Sequence, residues 1–459
     1  MPVALQNLGI SLYGLAWRRE RLGGNLESHV AAFRERDRWS PDQMADYVNG
    51  QLQRVLCRAF DTVPYYQDSW KRSGLIRRDL ERMTPSCLSR LPVTPKDALR
   101  SNPKALLAQD ADRRSRIRRY SSSGSTGTPV TVFCAPEDHR RFIAAREARS
   151  FGWAGASIHQ PRAMIGGRLV VPRGVARPPF YRYNWAEQQV YFSAYHISPA
   201  HAADYAEGFN RYRPALLTGY ANSYFLLARM MQAQKLRLDY QPAGLVLGSE
   251  KLTAEMKQLL QETFRARAYE EYGAVENCAL ATECAQGRLH VSPDFGIVEI
   301  VDDQDLPVAP GREGRILCTG LLNDTQPLIR YEIGDLGVWD TEPCPCGRDH
   351  LPVLREIVGR LEDVVVGPDG RQLVRFHGIF IDLPGVLEGQ VIQETVDEFT
   401  VRIVPQGKWD NAAKKLIRQR FAERLGPVKV TIEKVAEIPR TARGKFRAVI
   451  SKVKARPIK

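Results

Sequence analysis

A run of hydroxyl residues and glycines, SSGSTGTP, occupies positions 122–129 and leads into the strand-like segment VTVF. Free backbone N–H groups and hydroxyls in such a run can surround the oxygens of a polyphosphate. The run is not a Walker-type loop, because the position five residues after Gly124 is Pro129 rather than glycine. Walker and dinucleotide-binding loops also lead into a helix, whereas a strand follows here. The run is therefore either a solvent-exposed turn or a phosphate-binding loop between strands.

Three cysteines and a histidine have the side chains of a tetrahedral zinc site. Cys284 and His290 lie six positions apart in ECAQGRLH, and Cys344 and Cys346 lie two apart in PCPCGR. A C-x-C pair followed by glycine is typical of a metal-binding turn. We predict that these four residues hold a structural Zn²⁺, with Cys278 as a substitute ligand. The alternative is four unrelated, reduced side chains.

The pattern of apolar residues predicts an α/β protein. Residues 1–115 form a helical region, with periodic segments such as DQMADYVNGQLQRVLCRAF. Residues 116–357 alternate short apolar runs with helix-length segments, which favours α/β layers with largely parallel sheets. Residues 358–459 contain a hairpin, two further strands and an amphipathic helix. The predicted fold class is α/β: a large multi-layer N-terminal domain with β-sheets flanked by helices, and a small α+β C-terminal domain.

Composition narrows the classes of function. The chain has 459 residues, of which 43% are hydrophobic and 26% charged, as is typical of a folded globular protein. No stretch approaches the roughly 20 apolar residues of a membrane span. The net charge of +14 is compatible with anionic partners, but no module of interleaved aromatic and basic residues predicts specific nucleic-acid binding. The scattered cysteines fit a reducing cytoplasm, and the sequence leaves the oligomeric state open.

The hydroxyl run resembles the phosphate-binding signature of the adenylate-forming superfamily, which includes acyl-CoA synthetases, luciferases and non-ribosomal-peptide adenylation domains. Further family landmarks follow in the same order, in the segments LVLGSEKL, EEYGAVE, RYEIGDLG, VGRLEDVVV and PRTARGKFRAVI. The chain length, the segment SYFLLARMM and the ending RGKFRAVIS are most similar to the phenylacetate-CoA ligase branch and, within it, to CapK-like proteins. The resemblance covers most of the chain from about residue 115 onward.

The resemblance implies a role for each matched residue. The β- and γ-phosphates of ATP would be held by Ser122, Ser123, Gly124, Ser125, Thr126, Gly127 and Thr128. The adenine and ribose would be contacted by Gly248, Ser249, Glu250, Tyr272, Gly273, Asp335 and Arg360. Glu276 would bind the Mg²⁺ that bridges the phosphates, and Lys445 would stabilise charge on the α-phosphate. Tyr220 and Phe225 would line the acid pocket, and Glu362 takes the hinge position where the family commonly has aspartate.

Two features leave the details of the site open. Val275 stands where the family usually has a threonine whose hydroxyl meets the α-phosphate, so a non-catalytic ligase homologue remains an alternative. The aromatic runs FYRYNW and YFSAYH indicate an aryl or apolar acid if they line the pocket, and ordinary core packing if they do not. His196, in the second run, has the same two interpretations.

The implied activity is that of a cytoplasmic, AMP-forming carboxylate-CoA ligase. ATP and Mg²⁺ would activate an aryl or apolar carboxylic acid to an acyl-adenylate, and coenzyme A would then accept the acyl group. The C-terminal domain, which carries Lys445, would rotate about the hinge between the two half-reactions. An amide or ester ligase with an amine or alcohol acceptor would share the first half-reaction. A zinc-containing, basic nucleic-acid-binding protein is the alternative from a different class.

Overall fold

The computed structural model describes residues 2–111, 116–121, 130–172, 175, 177–360, 365–369, 372–373, 376–380, 383, 385–405, 409–439 and 446–453. The predicted phosphate loop at 122–128 lies outside the described residues, as do the hinge residue Glu362 and the lysine Lys445. Arg360 is described in its backbone only.

Helices build the N-terminal region and connect the parallel strands. Their bounds are α1 Val3–Leu22, α2 Leu26–Arg36, α3 Pro41–Thr62, α4 Pro64–Arg72, α5 Arg77–Leu80, α6 Lys96–Ser101, α7 Pro136–Ala145, α8 Ala202–Tyr212, α9 Ala221–Ala233, α10 Ala254–Phe264 and α11 Asn411–Leu425. A π-helical turn, Arg146–Phe151, extends α7. None of the helices in the described part of the chain combines the length and the apolar character of a membrane span.

Local sequence explains where a helix such as α3 begins. The Ser40 hydroxyl accepts a hydrogen bond from the Gln43 N–H at 3.2 Å, and the Gln43 side chain accepts one from the Ser40 N–H at 2.9 Å. This reciprocal capping box satisfies backbone donors that the helix itself leaves without partners. Apolar residues three or four positions apart then form the buried face of the helix, namely Met44, Val48, Leu52, Val55, Leu56 and Ala59.

The strands are β1 Arg118–Ser121, β2 Thr131–Cys134, β3 Arg162–Gly166, β4 Tyr181–Asn184, β5 Gln189–Ser193, β6 Leu216–Tyr220, β7 Gly244–Gly248, β8 Ala268–Gly273, β9 Leu280–Glu283, β10 Leu289–Val291, β11 Gly296–Val301, β12 Glu313–Gly320, β13 Tyr331–Trp339, β14 Val353–Arg360, β15 Val365–Val366, β16 Gln372–Leu373, β17 Val386–Gln393, β18 Glu398–Pro405, β19 Lys429–Lys434 and β20 Val449–Ser451. Within the described residues, twelve of them form one sheet in the order β11-β12-β13-β14-β10-β9-β8-β7-β6-β3-β5-β4.

This sheet is mixed, whereas the sequence predicted largely parallel pairing. Strands β5, β3, β6, β7 and β8 pair in parallel, and helices α8, α9 and α10 connect β5, β6, β7 and β8 in turn. From β8 to β14, neighbouring strands are antiparallel. The physical reason at β8 is the short connection to β9, because parallel pairing needs a crossover of a dozen or more residues.

A smaller α+β unit follows the large sheet. Strands β19-β18-β17-β20 form its four-stranded sheet, and Ile417 and Phe421 of α11 share a core with Phe399 and Val401 of β18. Arg229 on α9 joins this unit to the large part, since its Nη1 donates hydrogen bonds to the carbonyl oxygens of β17 residues 386 and 387 at 3.3 and 3.2 Å. The predicted fold class, a large sheet flanked by helices with a small α+β C-terminal domain, is confirmed.

Candidate active site

A cavity of about 1270 Å³ lies against one face of the parallel strands. Met164 on β3 is in register with Tyr191 on β5 and with Thr218 on β6, and Thr218 is in register with Val246 on β7. Residues in register lie on the same face of a sheet, and all four line the cavity. The C-terminal unit contributes further wall residues, including Leu387.

The predicted nucleotide and acid residues meet at this cavity wherever their side chains are described. The strand ends supply most of them, because the carboxyl ends of neighbouring parallel strands lie at one edge of the sheet. The cavity is lined by Tyr220, Phe225, Gly248, Ser249, Glu250, Tyr272, Gly273, Val275, Glu276 and Asp335. The backbone of Arg360 pairs in register with Asp335, which places the end of β14 beside the same site.

Tyr272 and Asp335 form a direct contact at the wall of the cavity. The Tyr272 hydroxyl donates to Asp335 Oδ2 at 2.8 Å, although 63 residues separate the two in sequence. Burial, reinforced by the neighbouring Asp335 carboxylate, raises the pKa of Tyr272 well above its ordinary value, so the phenol stays protonated as a donor. The contact positions a tyrosine ring and a two-oxygen acceptor side by side, which suits a base and a ribose.

Glu276 is a buried carboxylate in the same cavity. It is 5% exposed, and its Oε1 accepts a hydrogen bond from the Tyr331 hydroxyl at 3.2 Å. Burial, together with the Glu276 charge, raises the pKa of Tyr331, which therefore remains a donor. A buried carboxylate held by one neutral donor is a hard oxygen ligand of the kind that Mg²⁺ prefers.

The residues adjoining these groups have structural contacts of their own. Val275 is partly buried against an apolar cluster that includes the N-terminal helices, and it also lines the cavity, so a hydroxyl at this position would meet both. Glu250 Oε2 accepts a hydrogen bond from the Asn222 N–H at 3.0 Å, which ties the end of β7 to the first turn of α9. This contact gives Glu250 a positioning function within the site.

The two aromatic runs mostly belong to the protein core. Phe180, Phe192 and Tyr205 stack in one buried cluster, and Tyr191 is the member of the second run that lines the cavity among the described residues. His196 stacks on Phe180 at 4.6 Å and shares a hydrogen bond with the Ser193 hydroxyl at 2.8 Å. Of its two interpretations, the structure shows the packed one.

Several cavity residues carried no recognisable motif in the sequence. Lys96 at the start of α6 donates from Nζ to the carbonyl oxygen of Ile333 at 2.8 Å, two residues before Asp335. Trp17 and Arg21 of α1 also line the cavity, as does His139 of α7. In the sequence, Arg21 belongs to the basic run WRRER, a pattern typical of a solvated surface. The side chain reaches the cavity because α1 packs against β4.

The chain next to the predicted catalytic lysine reaches the cavity. Phe446 and Arg447 line it, followed by Ala448 and Val449 at the start of β20. The Arg447 carbonyl accepts a hydrogen bond from Gln390 Nε2 at 2.8 Å, which fixes this segment to β17. The residue that precedes Phe446 is Lys445, which lies outside the described residues.

The four predicted zinc ligands converge away from this cavity. The ligand atoms of Cys284, His290, Cys344 and Cys346 all lie within 4.8 Å of one another. The sulfurs of Cys284 and Cys344 are 3.6 Å apart, and Cys346 Sγ is 3.3 Å from His290 Nε2. Tetrahedral bonds of about 2.3 Å to zinc would separate two sulfurs by roughly 3.8 Å. Cys278, the substitute ligand, is not part of this group.

Turn geometry and hydrogen bonds orient the four ligands. Gly287 and Gly347 have φ values of +76° and +75°, which let the chain turn back tightly after Cys284 and Cys344. His290 Nδ1 lies 3.0 Å from the Leu351 carbonyl, which assigns its proton to that nitrogen and leaves Nε2 as the ligand atom. Burial raises the pKa of Cys344 to about 12, a cost that a bound cation would remove.

Comparisons with known proteins show what this chain is similar to. Residues 366–452 match the family described as the CapK C-terminal domain. The chain is 24% identical to protein CapK of Staphylococcus aureus over 99% of this chain and 98% of that protein. It is also 24% identical to a phenylacetate-coenzyme A ligase of Thermus thermophilus, over 87% of this chain and 94% of the other.

Over most of its length, the chain is thus similar to CapK and to the phenylacetate-CoA ligases. A solved structure of 2-hydroxyisobutyryl-CoA ligase, in the postadenylation state with R3-HIB-AMP, superposes with a TM-score of 0.67 at 21% identity, covering 88% of this chain and 89% of the other. The two proteins therefore share their fold. The resemblance predicted from the sequence motifs is confirmed, including its assignment to the CapK-like group.

Proposed function

We propose that this CapK-like protein is an AMP-forming carboxylate-CoA ligase. The observation that supports it most directly is the meeting of Tyr272, Glu276 and Asp335 in one cavity, whose wall continues into Phe446, the residue after Lys445. Four curated relatives match this chain, and the three named phenylacetate-coenzyme A ligase support the proposed reaction class. Their identities of 23–25% leave the acid itself to be determined.

The nucleotide would lie between β8 and β13. Asp335 would accept hydrogen bonds from ribose hydroxyls, and the Tyr272 ring would contact the adenine with its hydroxyl held by Asp335. The loop at 122–128 would hold the outer phosphates; it joins β1 and β2, an antiparallel pair beside the cavity. Glu276 would hold Mg²⁺, which when bound neutralises phosphate charge.

In the first half-reaction, an oxygen of the acid's carboxylate bonds to the α-phosphorus of ATP. The bond from that phosphorus to the bridging oxygen breaks, and pyrophosphate leaves with the electron pair. Lys445 would stabilise the charge that develops on the α-phosphate, from a chain segment fixed to β17 by the bond between Gln390 and the Arg447 carbonyl. The acyl-adenylate formed is a reactive mixed anhydride.

In the second half-reaction, the thiolate of coenzyme A attacks the acyl carbonyl carbon and AMP leaves. The C-terminal unit would rotate about Glu362 between the two steps, withdrawing Lys445. The acceptor is assigned as coenzyme A because the curated relatives of known reaction are named as coenzyme A ligases. An amine or alcohol acceptor would leave the first half-reaction unchanged.

The acid would enter the part of the cavity lined by Tyr220 and Phe225. Phe151, Ile158 and Met164 also line the cavity, which supports an aryl or apolar body for the acid. The aromatic runs give less support than expected, since most of their rings lie in the core.

The cysteine cluster would hold a structural zinc ion. The three thiols, one imidazole, short ligand separations and the hydrogen bond on His290 Nδ1 all fit tetrahedral Zn²⁺. The four protein ligands would complete the coordination sphere. The ion would then tie the β9–β10 turn to the segment between β13 and β14 and have no part in the reaction.

ATP–pyrophosphate exchange tests the first half-reaction, and thioester formation tests the second. Purified protein is given ATP, Mg²⁺ and a panel of aryl and aliphatic acids, with coenzyme A, ammonia, an amine or no acceptor. We expect acid-dependent exchange without an acceptor, and AMP release that rises with coenzyme A. Exchange together with turnover only when an amine is present would mean that the acceptor is an amine and not coenzyme A, while the proposed adenylation step would stand. Absence of exchange with every acid would contradict the proposed ligase.

A further inference from the structure

Along β3 and β5, the cavity is lined by three arginines and a neutral histidine that the adenylation chemistry does not use. Arg162 and Gln189 are the first residues of these strands and lie in register, so they share the face that borders the cavity. Arg168, just beyond β3, places its guanidinium 4.7 Å from the centre of the Tyr191 ring. Arg21 of α1 lines the same cavity. We refer to Arg21, Arg162, Arg168 and His139 as the basic end of the cavity.

Positive charge exceeds negative charge at the basic end. Glu187 Oε1 lies 3.5 Å from Arg21 and 3.4 Å from Arg162, while its Oε2 accepts hydrogen bonds from Asn184 and Tyr191 at 3.0 and 3.4 Å. This one buried carboxylate is thus shared between two guanidiniums. No carboxylate in the described part of the chain lies within ion-pair distance of Arg168. The three guanidiniums thus carry more positive charge than the one carboxylate neutralises, and a bound anion would neutralise the excess.

Three buried polar nitrogens at this end also lack partners. No described residue hydrogen-bonds to Arg21 Nε or to either ring nitrogen of His139, and all three atoms are shielded from solvent. The His139 ring stacks on Tyr120 at 5.3 Å and meets Trp17 at 6.0 Å, so the surrounding rings hold it in place. Burial and then the Arg21 charge lower the pKa of His139 to about 3, which keeps it neutral. A neutral imidazole has one N–H donor and one acceptor nitrogen, so the two side chains leave two buried donors without partners, each at a cost of about 1–3 kcal/mol.

Arg162 of the basic end lies at the opposite end of the parallel strands from the residues assigned to adenine and ribose, whereas His139 stacks on Tyr120, two residues before the predicted phosphate loop. Arg162 and Gln189 lie at the amino ends of parallel strands, whereas Tyr220 and Gly248 lie at the carboxyl ends of β6 and β7. On the ribose side, Lys96 supplies a cation and bonds to the Ile333 carbonyl. An anion held by Arg21, Arg162 and Arg168 would belong to the acid, and KM for pyrophosphate distinguishes this assignment from a phosphate site.

We propose that the carboxylic acid activated by this protein carries a second anionic group at its far end, bound by Arg21, Arg162, Arg168 and His139. This inference rests on the proposed ligase function and names its substrate class: a dicarboxylate, or an acid bearing another acidic group, with an apolar middle section. The reacting carboxylate lies toward Tyr220 and Phe225, and Met164 of β3 borders the intervening space. A simple aryl acid would leave the three guanidiniums with the single carboxylate of Glu187.

Matched pairs of acids test the second anionic group. ATP–pyrophosphate exchange is measured with phenylacetate against 4-carboxyphenylacetate, and with hexanoate against adipate. We expect kcat/KM to be at least tenfold higher for the doubly charged member of a pair. Equal values, or preference for the singly charged acids, would overturn the inference while leaving the ligase function standing.

Two variants test whether the preference for doubly charged acids depends on the basic end. Arg21→Gln and His139→Gln are expected to lower kcat/KM for the preferred dianion at least tenfold and for its monoanionic partner less than threefold. Arg19→Gln, an exposed change on the same helix, serves as the control and is expected to alter neither value. Thermal unfolding of each variant shows whether the fold is retained. An equal loss with both acids indicates a structural role and contradicts the inference.

A third readout separates the acid from the triphosphate. If Arg21→Gln raises KM for pyrophosphate and leaves the acid preference unchanged, the basic end binds phosphate and the inference is wrong. Calorimetry with 4-carboxyphenylacetate or adipate, without ATP, measures binding of the acid and so tests the anion site even if the protein is not a ligase. Binding that Arg21→Gln weakens tenfold supports the anion site even if no acid supports exchange. If neither diacid binds and no acid supports exchange, the proposed anion site is wrong.

Discussion

The hydroxyl of Tyr272 donates a hydrogen bond to Asp335 across 2.8 Å, joining the end of β8 to the middle of β13. In the sheet order, β9, β10 and β14 separate these two strands. The sheet must therefore curl strongly, and the curl creates the wall on which we place the nucleotide. A flat sheet would hold strands four places apart at about 19 Å, which is why this contact is diagnostic of the curvature.

Replacing Asp335 should weaken nucleotide binding selectively. In Asp335→Ala, the ribose loses a charged acceptor worth about 1.5–3 kcal/mol, so we expect KM for ATP to rise roughly 10- to 100-fold. KM for the acid should change little. Exchange kinetics at varied ATP check this, with Asp303→Ala in an exposed turn as the control. Unchanged KM for ATP would remove Asp335 from the nucleotide site.

Introducing the family's threonine at position 275 should lower the stability of the protein but raise the rate of exchange. In Val275→Thr, a hydroxyl enters the edge of the apolar cluster, and we expect unfolding free energy to fall by about 1 kcal/mol. If the site follows the family geometry, the same hydroxyl adds a contact to the α-phosphate, and the exchange rate should rise by about three- to tenfold. Denaturant unfolding and exchange are measured in parallel. A slower variant would show that this site has a geometry of its own.

Removing one cysteine should release the metal without altering the reaction chemistry. For Cys346→Ser we expect zinc, measured by elemental analysis, to fall from about one ion per chain to near zero, since tetrahedral sites need all four ligands. The midpoint of thermal unfolding should fall by several degrees. Cys87→Ser, outside the cluster, should keep both values. Wild-type protein purified without any bound zinc would contradict the structural site.

A buried ion pair should make stability fall in acid. Asp294 receives hydrogen bonds from Arg149 Nη1 and from Arg36 Nε, both at 2.6 Å, in a fully buried position. Burial opposes the charge, but the two guanidiniums outweigh it and lower the pKa of Asp294 below its ordinary value of 3.8. A lowered folded-state pKa means that the stabilisation is complete above about pH 4 and is lost as the pH falls through the folded value.

The variant Asp294→Asn tests this pair. We expect it to lower the free energy of unfolding at pH 7 by about 3–5 kcal/mol, because it removes the carboxylate that the buried Arg36 and Arg149 share and leaves Arg149 paired with Asp37 alone. Its stability should also depend less on pH between 2 and 4 than that of the wild type. Denaturant unfolding across this range gives both results. Equal acid sensitivity in the two proteins would assign the pH dependence to other carboxylates.

The sequence predicted those parts of the site that local chemistry determines. Glu276 and Asp335 could be recognised because each lies within a motif, and Cys284 and Cys346 because of ligand spacing. Arg21 and His139 could not, since neither has a characteristic neighbour and both reach the cavity only through the docking of α1 and α7. The parallel pairing was overestimated for a similar reason: apolar runs show that a strand is buried, but only connection length sets its direction.

We propose above all that the cavity adenylates an acid with help from the C-terminal unit. The most direct measurement is acid-dependent ATP–pyrophosphate exchange by the wild type and by Lys445→Ala, with Lys452→Ala on the exposed surface as the control. We predict exchange in the wild type and the control, loss of at least 100-fold in Lys445→Ala, and unchanged ATP binding by calorimetry. Full exchange by Lys445→Ala, or none by the wild type with any acid of the panel, would contradict the account.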